Sequence, residues 1–119
     1  GYYDAYYKKA KFTQIRIQEE FAKAFDSCVL LLTPTVTETS FRIGENIDDQ
    51  IKMYMNDILT VTVNIAGLPG ISVPCGFDGK GLPIGAQLIG PKFSEGTLFR
   101  CAAGWEEICG GFDLSRTLA

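Results

Sequence analysis

Residues 2–25, YYDAYYKKAKFTQIRIQEEFAKAF, run without a glycine or a proline, and no other stretch constrains the fold as strongly. Tyr3, Tyr7, Ala10, Ile17, Phe21 and Ala24 fall at spacings of three, four and seven, which predicts a helix with an apolar face. Phe12 and Ile15 lie off that stripe. With Tyr2 and Tyr6 they widen the apolar surface beyond the roughly 100° arc of a one-sided surface helix, so a second covering surface is expected. Gly1 is no translation start, no capping cluster precedes Tyr2, and the helical pattern is already running at the first residue. The chain is therefore expected to begin inside a larger fold.

The next segment, CVLLLT at 28–33, is a continuous apolar run stopped by Pro34. This is the pattern of a strand buried on both faces, as in parallel sheets between helices. Residues 35–50 are polar without a sustained period, which predicts a long loop of the kind that lines sites in compact folds. In residues 53–66, Tyr54, Ile58, Val61 and Ile65 recur at helical spacing. The β-branched residues there keep a strand as the competing assignment. Gly67 would supply a left-handed C-terminal cap, with Pro69 barring continuation. Residues 71–75 form a strand whose Pro74 belongs at an edge, an end or a bulge. GFDGKGL at 76–82 is the turn, and residues 84–89 pair antiparallel with 71–77. Ser94 is the expected N-cap of a helix reaching about Cys109, aided by Thr97 and by Glu95 in the first turn. The order helix, strand, helix, strand, strand, helix places the chain in the α/β class, as one partial domain over residues 1–119 with no separate second domain.

Composition removes several functions. There is no histidine, so every His-dependent nucleophilic triad and His-ligated metal site is excluded. Eleven Lys and Arg against 14 Asp and Glu give a formal charge of −3 and a pI near 4.8, which offers no general footprint for nucleic acid. Any RNA contact would be local or indirect. Cys28, Cys75, Cys101 and Cys109 lack the short spacings of zinc or iron–sulfur sites and are expected to be buried small hydrophobes. With no signal-like N-terminus, a disulfide framework is not expected and the cytoplasm is. The longest apolar run, residues 29–32, falls far short of the ~20 residues that cross a bilayer.

No nucleophile announces itself. None of Ser27, Ser40, Ser72, Ser94 and Ser115 stands in a G-x-S-x-G elbow or an S-x-x-K motif. Ser72 and Cys75 suit a glycine-bounded strand better than a catalytic role, and Cys101 and Cys109 share a helix face. Gly67-Leu68-Pro69-Gly70 matches neither a P-loop nor a dinucleotide fingerprint and is a turn. Thr33-Pro34-Thr35 ends a strand, where open α/β sheets place ligands. Glu45 suits solvent. Asp57, near the start of an otherwise apolar helix, either assists the helix end electrostatically or binds a cation; the residues alone leave both open.

Three strings carry a more specific signal: MYMNDI at 53–58, TVNIAGLPGISVPCG at 62–76 and GLPIGAQLIG at 81–90. Together with GYYDAYYKKA at the N-terminus, LLTPT at 31–35 and IGENIDD at 43–49, they resemble the C-terminal third of amidase-signature enzymes. Within these the likeness is greatest to the glutaminase subunits of tRNA-dependent amidotransferases. The tail from Gly110 carries none of it. The resemblance implies a C-terminal fragment of the amidase-signature fold, a mixed β-sheet flanked by helices. It further implies a glutaminase that releases ammonia from glutamine for conversion of Glu-tRNA(Gln) to Gln-tRNA(Gln). The partners implied are the B and C subunits of the amidotransferase, the N-terminal part of the same chain, and tRNA reached through the B subunit, with no membrane. ATP and Mg would be used by the partner subunit, and no cofactor is expected in this chain.

In such enzymes the serine nucleophile, a second serine in a cis peptide, the lysine base and the arginine for the glutamine carboxylate all lie upstream, and this chain has no Ser-Ser pair. No residue here is therefore assigned as catalytic. One ligand carries over: Asp57, in NDILT at 56–60, matches the aspartate that holds the α-amino group of glutamine. The chain departs from the pattern at Thr62, where proline is usual, and at Ala86, where leucine is. The alternatives are a piece of another small-amide hydrolase of the same family and a non-catalytic remnant or binding module.

Overall fold

The computed structural model describes residues 2–43 and 50–110. Helix α1 spans Tyr2–Phe25, strand β1 Leu31–Pro34, helix α2 Gln50–Ala66, strand β2 Gly70–Phe77, strand β3 Pro83–Ile89 and helix α3 Glu95–Cys109. The predicted element order holds, and 53–66 is helical, as part of a longer α2. The IGE segment with Glu45, and the tail from residue 111 with Ser115, lie outside the described residues.

The three strands form one antiparallel sheet in the order β1-β3-β2. The parallel reading of the run at 28–33 is thus corrected: Leu31 faces Ile89 and Thr33 faces Gln87 in an antiparallel ladder. That run is not buried on both faces either, since Leu32 is 57% exposed and Val29 72%. The reason is position. Leu32 pairs with Leu88 and so projects to the face that α3 covers, but α3 packs on β2 and β3 and leaves β1 bare.

Side chains alternate across a sheet, and here the two faces differ in character. Val73, Ala86 and Leu88 meet Leu98 and Ala102 of α3 in an apolar core, with Leu30, Ile71 and Trp105 packed at its margin. The Trp105 indole donates a hydrogen bond to the Pro74 carbonyl at 3.0 Å. A bulge between Pro74 and Gly76 lets the proline sit in β2, the resolution its missing N–H requires. The opposite face carries Thr33, Gln87 and Ser72 side by side, and α2 lies over it.

The ends of α2 and α3 follow local chemistry. Gly67 adopts φ 67°. Its N–H donates to Asn64 O at 3.1 Å and that of Leu68 to Val63 O at 3.2 Å, the pairing of a Schellman cap. Gly110 ends α3 in the same left-handed conformation. Ser94 precedes α3 as expected, but its hydroxyl caps nothing. At φ −96° and ψ 17° it is outside the extended conformation that aims an N-cap oxygen at the first amides, and Oγ is buried against Gly90 without a partner.

The cysteines also depart from expectation. All four are free, yet Cys75, Cys101 and Cys109 are exposed and Cys28 is half-buried. On α3 the buried positions are Leu98 and Ala102; Cys101 lies off that face, and Cys109, although in line with it, is the last residue of the helix, beyond the buried part. Much larger apolar groups are exposed on α1, among them Tyr3 at 81% and Phe12 at 62%, in keeping with an apolar arc too wide for one neighbour. The radius of gyration, 17.3 Å, exceeds the ~13 Å of a compact domain of about a hundred residues. Surface of this kind marks an interface. Expressed alone, the 119-residue chain is expected to bind a hydrophobic dye and to self-associate in sedimentation; a monomer that unfolds cooperatively and binds no dye would contradict this.

Candidate functional site

Asp57 lies about two turns inside α2. The helix extends to Gln50, and the electrostatic effect of a helix terminus fades within its first turn, so the helix-end role is removed by the observed boundary. Its side chain is exposed and its carboxylate makes no hydrogen bond or ion pair with the described residues; the Thr60 hydroxyl donates to its backbone carbonyl at 3.1 Å.

The side chain borders a cleft of about 370 Å³. Met53, Asn56 and Asp57 of α2 form one wall, and Val36, Glu38, Thr39, Ser40 and Phe41 of the segment after β1 form the other. The part of the long polar stretch at residues 36–41 thus lines this cleft. Two contacts position that segment. Thr37 Oγ1 donates to Met55 O at 3.3 Å, and Thr39 Oγ1 donates to Asp78 Oδ2 at 2.7 Å. Asp78 in turn organises the β2–β3 turn, its Oδ1 accepting the N–H groups of Lys80 and Leu82 at 2.8 Å each. The Thr39 hydroxyl first, and then these amides and the Lys80 charge, hold the Asp78 carboxyl below its ordinary value of 3.8, with partial desolvation opposing them.

The polar sheet face forms a second group. Ser72 Oγ and Thr35 Oγ1 are 2.7 Å apart. They meet across Gly85, where an added Cβ would stand 2.9 Å from Thr35 Oγ1 and 3.1 Å from Ser72 Oγ. The Ser72 hydroxyl is thus a tie from β2 to the residue that follows β1. Gln87 Nε2 donates to Thr33 Oγ1 and to Leu59 O, both at 3.2 Å. The end of β1 is thus polar and hydrogen-bonded to its neighbours. Gln87 was not singled out by the sequence, and the 36–41 wall only as part of the loop expected over residues 35–50. A lone glutamine in a strand carries no motif, and the wall has no periodicity.

The sequence matches the Amidase family over residues 1–99, and the chain belongs to that family. It is 55% identical over 102 residues to the A subunit of glutamyl-tRNA(Gln) amidotransferase from Persephonella marina, covering 86% of this chain and 21% of that protein. It is 52% identical over 110 residues to the protein of the same name from Brevibacillus brevis, covering 92% of this chain and 22% of that protein. The crystal structure of the corresponding Thermotoga maritima protein, again the A subunit of glutamyl-tRNA(Gln) amidotransferase, superposes with a TM-score of 0.76 at 44% identity, over 83% of this chain and 22% of that one. A 6-aminohexanoate cyclic dimer hydrolase follows at 0.68 and 26% identity, over 85% and 23%. The chain therefore spans about a fifth of the length of the relatives it matches.

The Asp78 tie makes the cleft wall sensitive to acid. A carboxyl whose folded-state pKa is lowered stabilises the fold above its unfolded value, near 3.8, and loses that contribution as pH falls through the folded value. Replacing Thr39 with Val removes the largest cause and is expected to move the Asp78 pKa back toward 3.8 in an NMR titration of its side-chain carboxyl. A titration unchanged by the substitution would contradict the tie.

Proposed function

We propose that the protein to which these residues belong hydrolyses glutamine and passes the ammonia to a tRNA-dependent amidation, and that Asp57 holds the α-ammonium of glutamine. The observation that carries this reading is the Asp57 carboxylate, which has no partner among the described residues, is remote from either helix end and borders the cleft between α2 and residues 36–41. A cation is the ligand such a group lacks. A carboxylate beside a substrate ammonium gains a charge-assisted hydrogen bond worth about 1.5–3 kcal/mol. The exposure of Asp57 departs from the buried carboxylate that such a bond favours, so the rest of the protein is assigned the closing wall along with the serine nucleophile, the second serine and the lysine base. The B and C subunits of the amidotransferase are the proposed partners, with ATP and Mg used by the partner subunit, tRNA reached through the B subunit, and the cytoplasm as the compartment. The −3 charge of this chain agrees with an indirect approach of tRNA.

The likeness to the 6-aminohexanoate cyclic dimer hydrolase favours a second reading, a small-amide hydrolase that does not recognise an α-ammonium. Asp57→Asn in the full-length protein separates the two. Loss of the charge-assisted bond is expected to raise KM for glutamine about 10–150-fold with an unchanged melting temperature. Unchanged glutamine kinetics would remove the assignment, and equal hydrolysis of an amide lacking the α-ammonium would favour the second reading.

A further inference from the structure

Gln87 is 6% exposed and is the one buried polar or charged side chain among the described residues. A buried amide is retained at a cost unless its hydrogen bonds are made, and this one is spent on a helix backbone. Its orientation is settled by chemistry. The Leu59 carbonyl can only accept, so the amide nitrogen must face it, at 3.2 Å. The second donor hydrogen goes to Thr33 Oγ1, also at 3.2 Å. Gln87 therefore joins β1, β3 and α2 at one point, and that point on α2 is two residues from Asp57.

Little else fixes α2 over this face of the sheet. Val63 and Ala66 are its buried side chains, and both lie toward its C-terminal end. Toward the N-terminal end, Met53, Tyr54, Met55 and Ile58 are each about half exposed or more. Apolar packing thus holds the C-terminal part of the helix, while Asp57 stands in the N-terminal half. Leu59 O is the place where the sheet grips the Asp57 half of α2. The cleft segment adds only the long Thr37 contact to Met55 O.

The geometry points to Gln87 as a positioning residue for Asp57: its amide sets the height and rotation of α2 on the sheet and so places the carboxylate for a substrate ammonium. This rests on the reading of Asp57 given above. Gln87 does not touch the cleft, so its effect is confined to substrates that use Asp57. Loss of the amide is expected to misplace the carboxylate, and misplacement of a recognition group by about 1 Å costs up to about a hundredfold.

The test compares Gln87→Leu, Thr33→Val and Asp57→Asn in the full-length protein. kcat and KM are measured for glutamine and for 4-carbamoylbutanoate, the same amide without the α-ammonium. Gln87→Leu is expected to raise KM for glutamine about tenfold, with kcat at saturation changed less than about twofold and with 4-carbamoylbutanoate kinetics unchanged. Thr33→Val removes one of the two acceptors and is expected to give a smaller rise in the same direction. Combining Asp57→Asn with Gln87→Leu is expected to cost no more than Asp57→Asn alone. If Asp57→Asn affects glutamine selectively while Gln87→Leu and Thr33→Val affect both substrates equally or neither, the positioning role is overturned and the Asp57 assignment stands. If Asp57→Asn leaves glutamine unaffected, the reading of Asp57 falls and the positioning role falls with it. Should Gln87→Leu fail to fold, Thr33→Val decides, and an unchanged KM for glutamine in that variant overturns the proposal.

Discussion

The carbonyl groups of α2 are the points on which this structure depends. The helix buries only Val63 and Ala66, too little apolar surface to fix a helix of 17 residues by packing. Side-chain donors from three directions grip its backbone instead. Gln14 and Gln18 of α1 donate to Ile65 O at 2.8 Å and Ala66 O at 3.1 Å, carbonyls of the last turn that have no partner within the helix. Gln87 donates from the sheet to Leu59 O, and Thr37 from the cleft segment to Met55 O. A helix held through its backbone keeps its outward side chains free for other uses. On α2 those side chains are a row of exposed apolar groups and Asp57.

The sheet beneath it divides the labour between its faces. One face is an ordinary small core, Val73, Ala86 and Leu88 against Leu98 and Ala102. The other is a polar row, Thr33, Gln87 and Ser72, with the Thr35–Ser72 hydroxyl pair closed over Gly85. Such a row costs little only because each polar group finds a partner. It ties the end of β1 to its neighbours at the point where the chain turns into residues 36–41. Asp78 anchors the far part of that segment through Thr39. Both walls of the Asp57 cleft are thus fixed by hydrogen bonds that reach back to the β2–β3 hairpin.

Much of the architecture was legible because glycine and proline punctuate it. Gly67 and Pro69 close α2, Pro74 imposes the bulge, and the GFDGKGL turn joins β2 to β3. The α1 stretch, free of both residues, announced a helix whose apolar arc exceeded what one neighbour could cover, and Tyr3, Tyr6 and Tyr7 are indeed exposed. Burial was less legible. The run at 28–33 looked like a central strand, but hydrophobicity does not say where a strand sits, and β1 is an edge that α3 does not reach. The cysteines were misplaced for a related reason, since residue type gives an average burial while position decides each case: Cys101 is off the core face of α3 and Cys109 is at its end. Asp57 could be singled out as a lone carboxylate in an apolar helix, yet its role depended on a boundary three residues earlier than the periodicity suggested. Gln87, Gln14 and Gln18 left no trace in the sequence, because a glutamine that donates to a distant carbonyl has no periodicity, spacing or motif.

The proposed role of Asp57 as the receiver of a substrate cation is tested best by a crystal structure of the full-length protein with glutamine bound. The predicted result is an Asp57 oxygen about 2.7–2.9 Å from the α-ammonium nitrogen, with the substrate in the cleft between α2 and residues 36–41. Glutamine bound with its ammonium held by other groups, and Asp57 still facing solvent, would contradict the account.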